Sequence, residues 1–204
     1  MALLSAVEHE PLALAGLVSA TGIARPTAHR LAVALETHGM LRRDEDGRFR
    51  LGPRAIALGR AAAGAYPLRD AAMPALRLLR DTTGESVQLY VRDGDRRTCV
   101  ASLESPHGLR TIVEAGASLP LDRGSAGAVL VEERAVLRRG WAESVGQREA
   151  GVASVSAPVL DDGRVVAAVG VSGPIERLTR APGRLYGASV MAAARQIERT
   201  LRGE

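Results

Sequence analysis

The stretch that most constrains this chain is Leu12–Gly52. Leu14, Leu17, Val18 and Thr21 recur at i, i+3, i+4 and i+7, which predicts a helix with one buried face. Gly22-Ile23-Ala24 predicts a tight turn. A second helix is expected with Arg25 as its half-in first residue and Pro26 just inside. Proline needs no N–H there and biases the residue before it away from helical geometry. Ala28, Leu31, Ala32 and Leu35 repeat the helical spacing and are expected to face the first helix, with Thr27, Arg30, Ala34 and Thr37 outward. Gly39 is expected to end the helix. Leu41-Arg42-Arg43 and Arg48-Phe49-Arg50-Leu51 read as two short strands joined at Asp44-Glu45-Asp46-Gly47, a hairpin signal. Helix, turn, helix, hairpin is the order of a winged helix-turn-helix, whose second helix is shaped to enter a DNA major groove. On pattern alone a plain helical hairpin shares the first half of this signal. A solvated charged hairpin shares the second, because Asp44, Glu45 and Asp46 crowd its tip.

Length and composition bound the rest. At 204 residues the chain can bury a sizeable core and is expected to hold two domains. The expected division is a winged module over 1–52, a linker helix within 53–67 and a second domain over 68–204. The net charge is +4 and every basic residue is arginine, whose planar fork suits phosphate and guanine. One Trp, three Tyr and one Phe are too few for a single-strand stacking platform. No apolar run reaches membrane length, so no membrane partner is expected. A single cysteine allows no internal disulfide and fits the cytoplasm.

In chain order, Ala2–Glu8 reads as a helix with Leu3, Leu4 and Val7 inward; its start almost at residue 1 leaves an earlier natural start open. Pro53–Gly64 is an alanine-rich helix, broken by Ala65-Tyr66-Pro67, and Leu68–Thr83 is a further helix closed by Gly84. Strands then dominate. Val87, Leu89 and Val91 alternate with Ser86, Gln88 and Tyr90, the pattern of a half-buried strand, and Thr98–Leu103 returns after Asp93-Gly94-Asp95. Leu109–Val113 reads as a third strand. Gly116–Gly127 reads as a glycine-rich loop leading into a short helix at Ala126–Val131. Val152–Leu160 and Val165–Ser172 form a hairpin across Asp161-Asp162-Gly163, with Val165, Ala167, Val169 and Val171 on one side and Val166, Ala168, Gly170 and Ser172 on the other. Leu185–Leu201 closes the chain as a helix. Antiparallel strands flanked by helices make an α+β domain.

Few residues suggest catalysis. Cys99 in an apolar strand reads as a buried structural thiol. His9, His29, His38 and His107 show no ligand spacing, so no metal or cofactor is expected. Gly124-Ser125-Ala126-Gly127 lacks the lysine of a phosphate-binding loop and reads either as backbone N–H groups suited to a small anion or as an ordinary glycine turn. Ser154, Ser156 and Ser172, with space beside Gly170, read either as the lining of a small-ligand pocket or as the exposed face of a half-buried sheet. Arg110 and Arg123 are the only cationic side chains expected nearby.

Ala24–Gly52, ending in Gly47-Arg48-Phe49-Arg50-Leu51-Gly52, resembles the DNA-binding half of the IclR family of bacterial transcription regulators. Leu119-Pro120-Leu121 through Gly127, Gly140-Trp141-Ala142 through Gly151, and Val169-Gly170-Val171-Ser172-Gly173-Pro174 resemble the effector domain of the same family. Arg139-Gly140-Trp141 through Pro158, with Ser172 through Arg180, is most similar to actinobacterial members that govern leucine biosynthesis and amino-acid-dependent growth. The resemblance implies a cytoplasmic regulator, a homodimer or dimer of dimers on an operator of double-stranded DNA, with a C-terminal effector-binding domain of the GAF/PAS-like kind. It implies DNA contacts from Arg25, Pro26, Thr27, His29 and Arg30, and from Arg42, Arg43, Arg48 and Arg50 on the hairpin. The implied effector site is Gly108, Thr111, Leu119, Leu121, Ser125, Ala126, Ser144, Ser154, Gly170 and Ser172, and the implied ligand is an amino acid or small carboxylate. Three positions depart from family members: Asp122 replaces a common histidine, Ser144 an acidic residue of some acid-binding members, and Gly170 a serine found in some. An alternative is a metabolite-binding or enzymatic domain tethered to DNA. The family also carries a longer helical segment before the equivalent of Trp141, from which about twenty residues are expected to be missing from the numbering near Val131–Ala135.

Overall fold

The computed structural model describes residues 1–64 and 66–204. Of the helix break expected at Ala65-Tyr66-Pro67, the first residue lies outside the described residues. The chain divides into two compact units, Met1–Ala65 and Tyr66–Glu204.

The first unit holds α1 (Ala2–Ala6), α2 (Leu14–Thr21), α3 (Arg25–Thr37), the hairpin β1 (Leu41–Arg43) and β2 (Phe49–Leu51), and α4 (Pro53–Gly64). Leu3, Leu4, Val7, Leu17, Ala28, Ala32, Leu41 and Phe49 form its core. The spacing places α3 correctly but not every side chain on it. Ala28 and Ala32 are fully buried, Leu35 is half-buried, and Leu31 stays 41% exposed instead of facing α2. Two small alanines at the contact draw the helices together, and Leu31 falls on the margin of that contact. α3 also starts one residue early: Ala24 is the capping residue, and Arg25 and Pro26 are already helical. The hairpin pairs Leu41 with Leu51, Arg42 with Arg50 and Arg43 with Phe49. Its turn is closed by Asp44, whose Oδ1 accepts from Asp46 N (3.1 Å) and Arg48 N (2.9 Å). Leu12 adds an antiparallel bridge to Phe49, tying the segment before α2 to the hairpin.

The second unit begins with α5 (Pro67–Thr83) and the strands β3 (Ser86–Asp93), β4 (Arg96–Leu103) and β5 (Ser118–Pro120). Next come α6 (Ser125–Leu130), α7 (Arg134–Arg139), β6 (Ala142–Val145), β7 (Val152–Asp161) and β8 (Arg164–Pro174). α8 (Ile175–Leu178) and α9 (Pro182–Leu201) follow. The six strands form one antiparallel sheet in the order β5-β4-β3-β8-β7-β6. α5 and α9 cover one face over a core that includes Leu76, Leu89, Val155, Val169 and Ile197. α6 covers the other, over Cys99, Leu121, Val129 and Ala168. β3 is therefore buried on both faces, not half-buried: Ser86 through Tyr90 are all sequestered.

Several sequence expectations give way here. Leu109–Val113 is not a strand. The edge beside β4 is taken by β5, with Ser118 opposite Thr98 and Leu119 opposite Arg97, and Cys99 bonds both Gly116 and Ala117. β8 carries a bulge: Val159 pairs with Ala167 and Leu160 with Val165, which leaves Val166 as the extra residue. Val166 consequently packs on the α5–α9 side and Val165 on the α6 side, the reverse of strict alternation. The break expected near Val131–Ala135 is absent. Val131 N donates to Gly127 O (3.0 Å), Glu132 N to Val129 O (3.0 Å) and Glu133 N to Ala128 O (3.3 Å). Glu132, at φ 56°, turns the chain directly into α7, so the shortened connection is a property of this sequence.

Candidate functional site

Arg25, Pro26, Thr27, His29 and Arg30 are all exposed along the first turns of α3. Arg42 and Arg50 face each other across the hairpin and are exposed, as is Arg48. Arg43 differs, because its guanidinium lies 4.3 Å from the centre of the Phe49 ring and its Nε donates to Glu36 at 3.3 Å. It braces the hairpin against α3, and a phosphate would have to compete with Glu36 for it.

In the second unit, alternation along β7 and β8 sends Ser154, Ser156, Gly170 and Ser172 toward α6. There they meet the residues at its start around a small cavity of about 30 Å³, room for one or two waters. Ser125 Oγ stands 2.8 Å from both Ser154 Oγ and Ser156 Oγ. Ser172 Oγ donates to Gln88 Oε1 at 2.9 Å. Gln88 is 2% exposed and its Nε2 has no partner. Arg97, also 2% exposed, reaches in from β4. Its Nη1 donates to Pro120 O and, at 2.6 Å, to Arg123 O, while its Nε has no partner. Burial pulls the Arg97 guanidinium below its usual range; Tyr90 counters this and Arg148 reinforces it. Burial pushes the Tyr90 phenol up, helped by Cys99 and opposed by Arg148 and Arg97. Among the described residues no acidic side chain lines the cavity.

Six of the ten expected residues line this cavity: Ser125, Ala126, Ser144, Ser154, Gly170 and Ser172. The other four do not. Gly108 is exposed, Leu121 belongs to the packed core under α6, and Leu119 packs against that core from β5. Thr111 is buried with an unpartnered hydroxyl, away from the cavity lining. The space expected beside Gly170 is already filled, since a β-carbon there would lie 2.2 Å from Ser156 Oγ. The start of α6 is also engaged: Gly124 N donates to Gln147 Oε1 at 3.1 Å, and the helix is one and a half turns long. The nearby cations are not Arg110 and Arg123, which pair with Glu104 (2.6 Å) and Asp122 (3.1 Å) at the surface, but Arg97 and Arg148. Sequence reading missed both. The available signal was Arg97 sharing a strand face with Cys99, two residues on. Cys99 is the inert thiol expected, its pKa pushed up to about 12 by burial. Among the described residues no His, Cys, Asp and Glu cluster could hold a metal, and no helix is long and apolar enough to cross a membrane.

Comparison with known proteins matches both units. The family model described as the IclR helix-turn-helix domain covers residues 1–45. The one described as the bacterial transcriptional regulator IclR C-terminal domain matches 60–137 and again 130–199. A glycerol operon regulatory protein of Streptomyces griseus is 31% identical, over 82% of this chain and 79% of its own. Its namesake in Streptomyces coelicolor is 30% identical, over 93% of this chain and 89% of its own. That alignment runs over 226 positions, more than this chain has residues, so the relative holds residues that are absent here. An IclR-family regulator from Brucella abortus shares the fold, with a TM-score of 0.86 at 20% identity over 98% of this chain and 89% of its own. The doubled C-terminal match overlaps where α6 passes into α7, which is where the connection is short.

Proposed function

The chain belongs to the IclR family, and from that premise we propose that it reads DNA with α3 and lets a small organic acid in the cavity under α6 set its affinity for that DNA. It is a DNA-binding transcription regulator and not an enzyme, as are the relatives above. Thr27, His29 and Arg30, exposed on α3, are proposed to reach base edges, and Arg25, Arg42, Arg48 and Arg50 to take phosphates. A single recognition helix reads too few base pairs for a unique address, so a homodimer or dimer of dimers on an inverted repeat is proposed, acting in the cytoplasm.

One observation carries the ligand reading: two arginines and no carboxylate line the cavity. An amino acid such as leucine would bring an ammonium group to a wall with no acidic partner for it. A deaminated acid of leucine metabolism avoids that cost. The names of the two Streptomyces relatives support a ligand from glycerol metabolism equally well. The test is fluorescence anisotropy on a duplex selected by this protein from a random pool, with leucine, 2-isopropylmalate and glycerol 3-phosphate as titrants. An acid is expected to change the affinity and leucine to leave it unchanged. Arg30→Ala is expected to weaken the selected duplex by about 1–3 kcal/mol. Wild-type affinity is expected to fall steeply with salt as counterions are released. Unaltered binding by Arg30→Ala overturns the α3 assignment.

A further inference from the structure

We infer that the cavity under α6 is built for a small ligand bearing two negative charges at one end, a phosphate monoester or a short dicarboxylate, held between Arg97 on β4 and Arg148 on the β6–β7 turn. This rests on the reading of the cavity as the regulator's ligand site. The two carbonyl oxygens that accept from Arg97 satisfy donors without neutralising charge. Its Nε and the Nε2 of Gln88 are buried donors without a protein acceptor. Burying a cation without a counter-ion is costly, and an anion in the cavity removes that cost. The acidic groups nearest to hand do not serve. Asp122 is exposed and pairs with Arg123 at 3.1 Å, and Glu149, 3.9 Å from Arg148, is turned to solvent. One negative charge leaves the pair of guanidinium groups with a net positive charge; two bring it to balance. Each guanidinium offers a planar fork that fits two oxygens of a phosphate or carboxylate. The unused amide of Gln88 and the hydroxyls of Ser125, Ser154 and Ser156 complete the donor set.

The space present, about 30 Å³, is too small for such a ligand, so part of the wall must move. Arg148 is the cation able to do so. Its side chain is 20% exposed and sits on the turn between Gly146 (φ 68°) and Gly151 (φ 82°), outside any strand or helix. Both glycines hold a left-handed backbone that side chains disfavour, and the turn they bound brings Arg148 back over the serines. Rotation of its side chain widens the cavity, and its return places the second positive charge on the ligand.

The test is calorimetry on the full chain at pH 7.5 with inorganic phosphate, malonate, acetate and glycerol, followed in parallel by the fluorescence of Trp141. At least one of the two dianions is expected to bind about tenfold or more tightly than acetate, and glycerol is expected to give no heat. A response to phosphate alone identifies the phosphate-ester class, and one to malonate alone the dicarboxylate class. Arg148→Gln is expected to weaken dianion binding about tenfold while leaving acetate within about threefold. Arg97→Gln is expected to do the same, but it removes two structural hydrogen bonds, so Arg148→Gln decides where that variant fails to fold. Acetate binding as tightly as either dianion, or Arg148→Gln weakening all anions alike or none, overturns the inference. If dianions bind through Arg148 and DNA affinity does not change, the sensing reading fails and the site stands. If a monoanion or neutral compound shifts DNA affinity while neither dianion binds, sensing survives and the dianion site falls.

Discussion

Along β7 the residues directed at α5 and α9 are Ala153, Val155, Ala157 and Val159, while Ser154 and Ser156 point the other way. β3 repeats the contrast, with Val87 and Leu89 on one side and Gln88 and Tyr90 on the other, and so does β8, with Val169 and Val171 against Gly170 and Ser172. One face is hydrocarbon except for the buried Glu85 carboxylate beside Leu178, which pairs with Arg177 at 2.6 Å; the other holds hydroxyls, an amide and a guanidinium. A face that served only stability would gain from being apolar, because each buried polar group must find a partner or cost free energy. On the α6 face the partnering is almost complete. The Ser125–Ser154–Ser156 cluster and the Ser172–Gln88 bond satisfy most groups; of the four side-chain atoms left over among the described residues, Gln88 Nε2 and Arg97 Nε lie on residues of the cavity wall, and Ser102 Oγ and Thr111 Oγ1 lie outside it. Two of the unsatisfied donors are thus on residues that a ligand in the cavity could meet, and the apolar face carries the stability that tolerates them.

The sharpest way to break this contrast is to cut one side chain back to alanine on each side. Ile197→Ala, at a fully buried position of α9, is expected to lose about 2–5 kcal/mol, the transfer term plus the cavity it leaves. Ser156→Ala on the opposite face is expected to cost no more than about 1 kcal/mol, the net worth of one hydrogen bond. Urea midpoints at equal m-values measure both. Equal losses would mean that the two faces are one core and the division has no energetic content. Ile197→Ala is also expected to leave anion affinity unchanged in the folded protein, whereas Ser156→Ala is expected to lower it.

A smaller effect sharpens the contrast from the polar side. In Gly170→Ala the new methyl would lie 2.2 Å from Ser156 Oγ and 2.8 Å from Val155 O. The hydroxyl can swing aside but the carbonyl cannot, so an overpacking cost of about 1–3 kcal/mol is expected. Combining it with Ser156→Ala should recover the part due to the hydroxyl and leave the part due to the carbonyl. A double-mutant cycle in urea reads that coupling. Strict additivity would show that Ser156 does not occupy the space Gly170 vacates.

Much of this arrangement was legible in the sequence. The helix and hairpin of the winged unit, both large hairpins of the sheet, and the serines on a common side of β7 and β8 follow from spacing and turn residues, which are local properties. What was not legible depends on partners far along the chain. Leu109–Val113 has strand composition but loses the sheet edge to Ser118–Pro120, a competition that no local pattern reports. The bulge in β8 reverses Val165 and Val166, and a second bulge leaves Val100 unpaired, so that Cys99 packs on the α6 side and Ala101 on the α5–α9 side. Arg148 sits in a turn whose sequence says nothing of what it covers. The shortened α6–α7 connection looked like absent residues because the family pattern is longer; hydrogen bonds across it show a chain that simply turns sooner.

The smallest expected effect places Cys99 on the polar side of the sheet while keeping it out of the chemistry there. Its thiol ordinarily ionises near pH 9, and burial raises that to about 12, with a weak bond to Ala101 O (3.3 Å) opposing the shift. In the unfolded chain the thiol loses its proton from about pH 9, while in the folded chain it keeps it. The stability tied to the neutral thiol is therefore complete below pH 9 and declines as the pH rises from 9 toward 12. At pH 10 the loss is expected to be about 1 kcal/mol relative to pH 8. Tyr90 and Tyr186, raised in the same direction from 10, add losses that begin between pH 9 and 10 and grow above it. The difference between the parent chain and Cys99→Ala from pH 9 to 10 therefore isolates the cysteine. Urea midpoints of the parent chain should fall across that interval, and those of Cys99→Ala should fall less. Parallel slopes would mean that the Cys99 thiol ionises in the folded protein as it does in water, which would make it a reactive group beside Arg97 and Tyr90 and not part of the packed core.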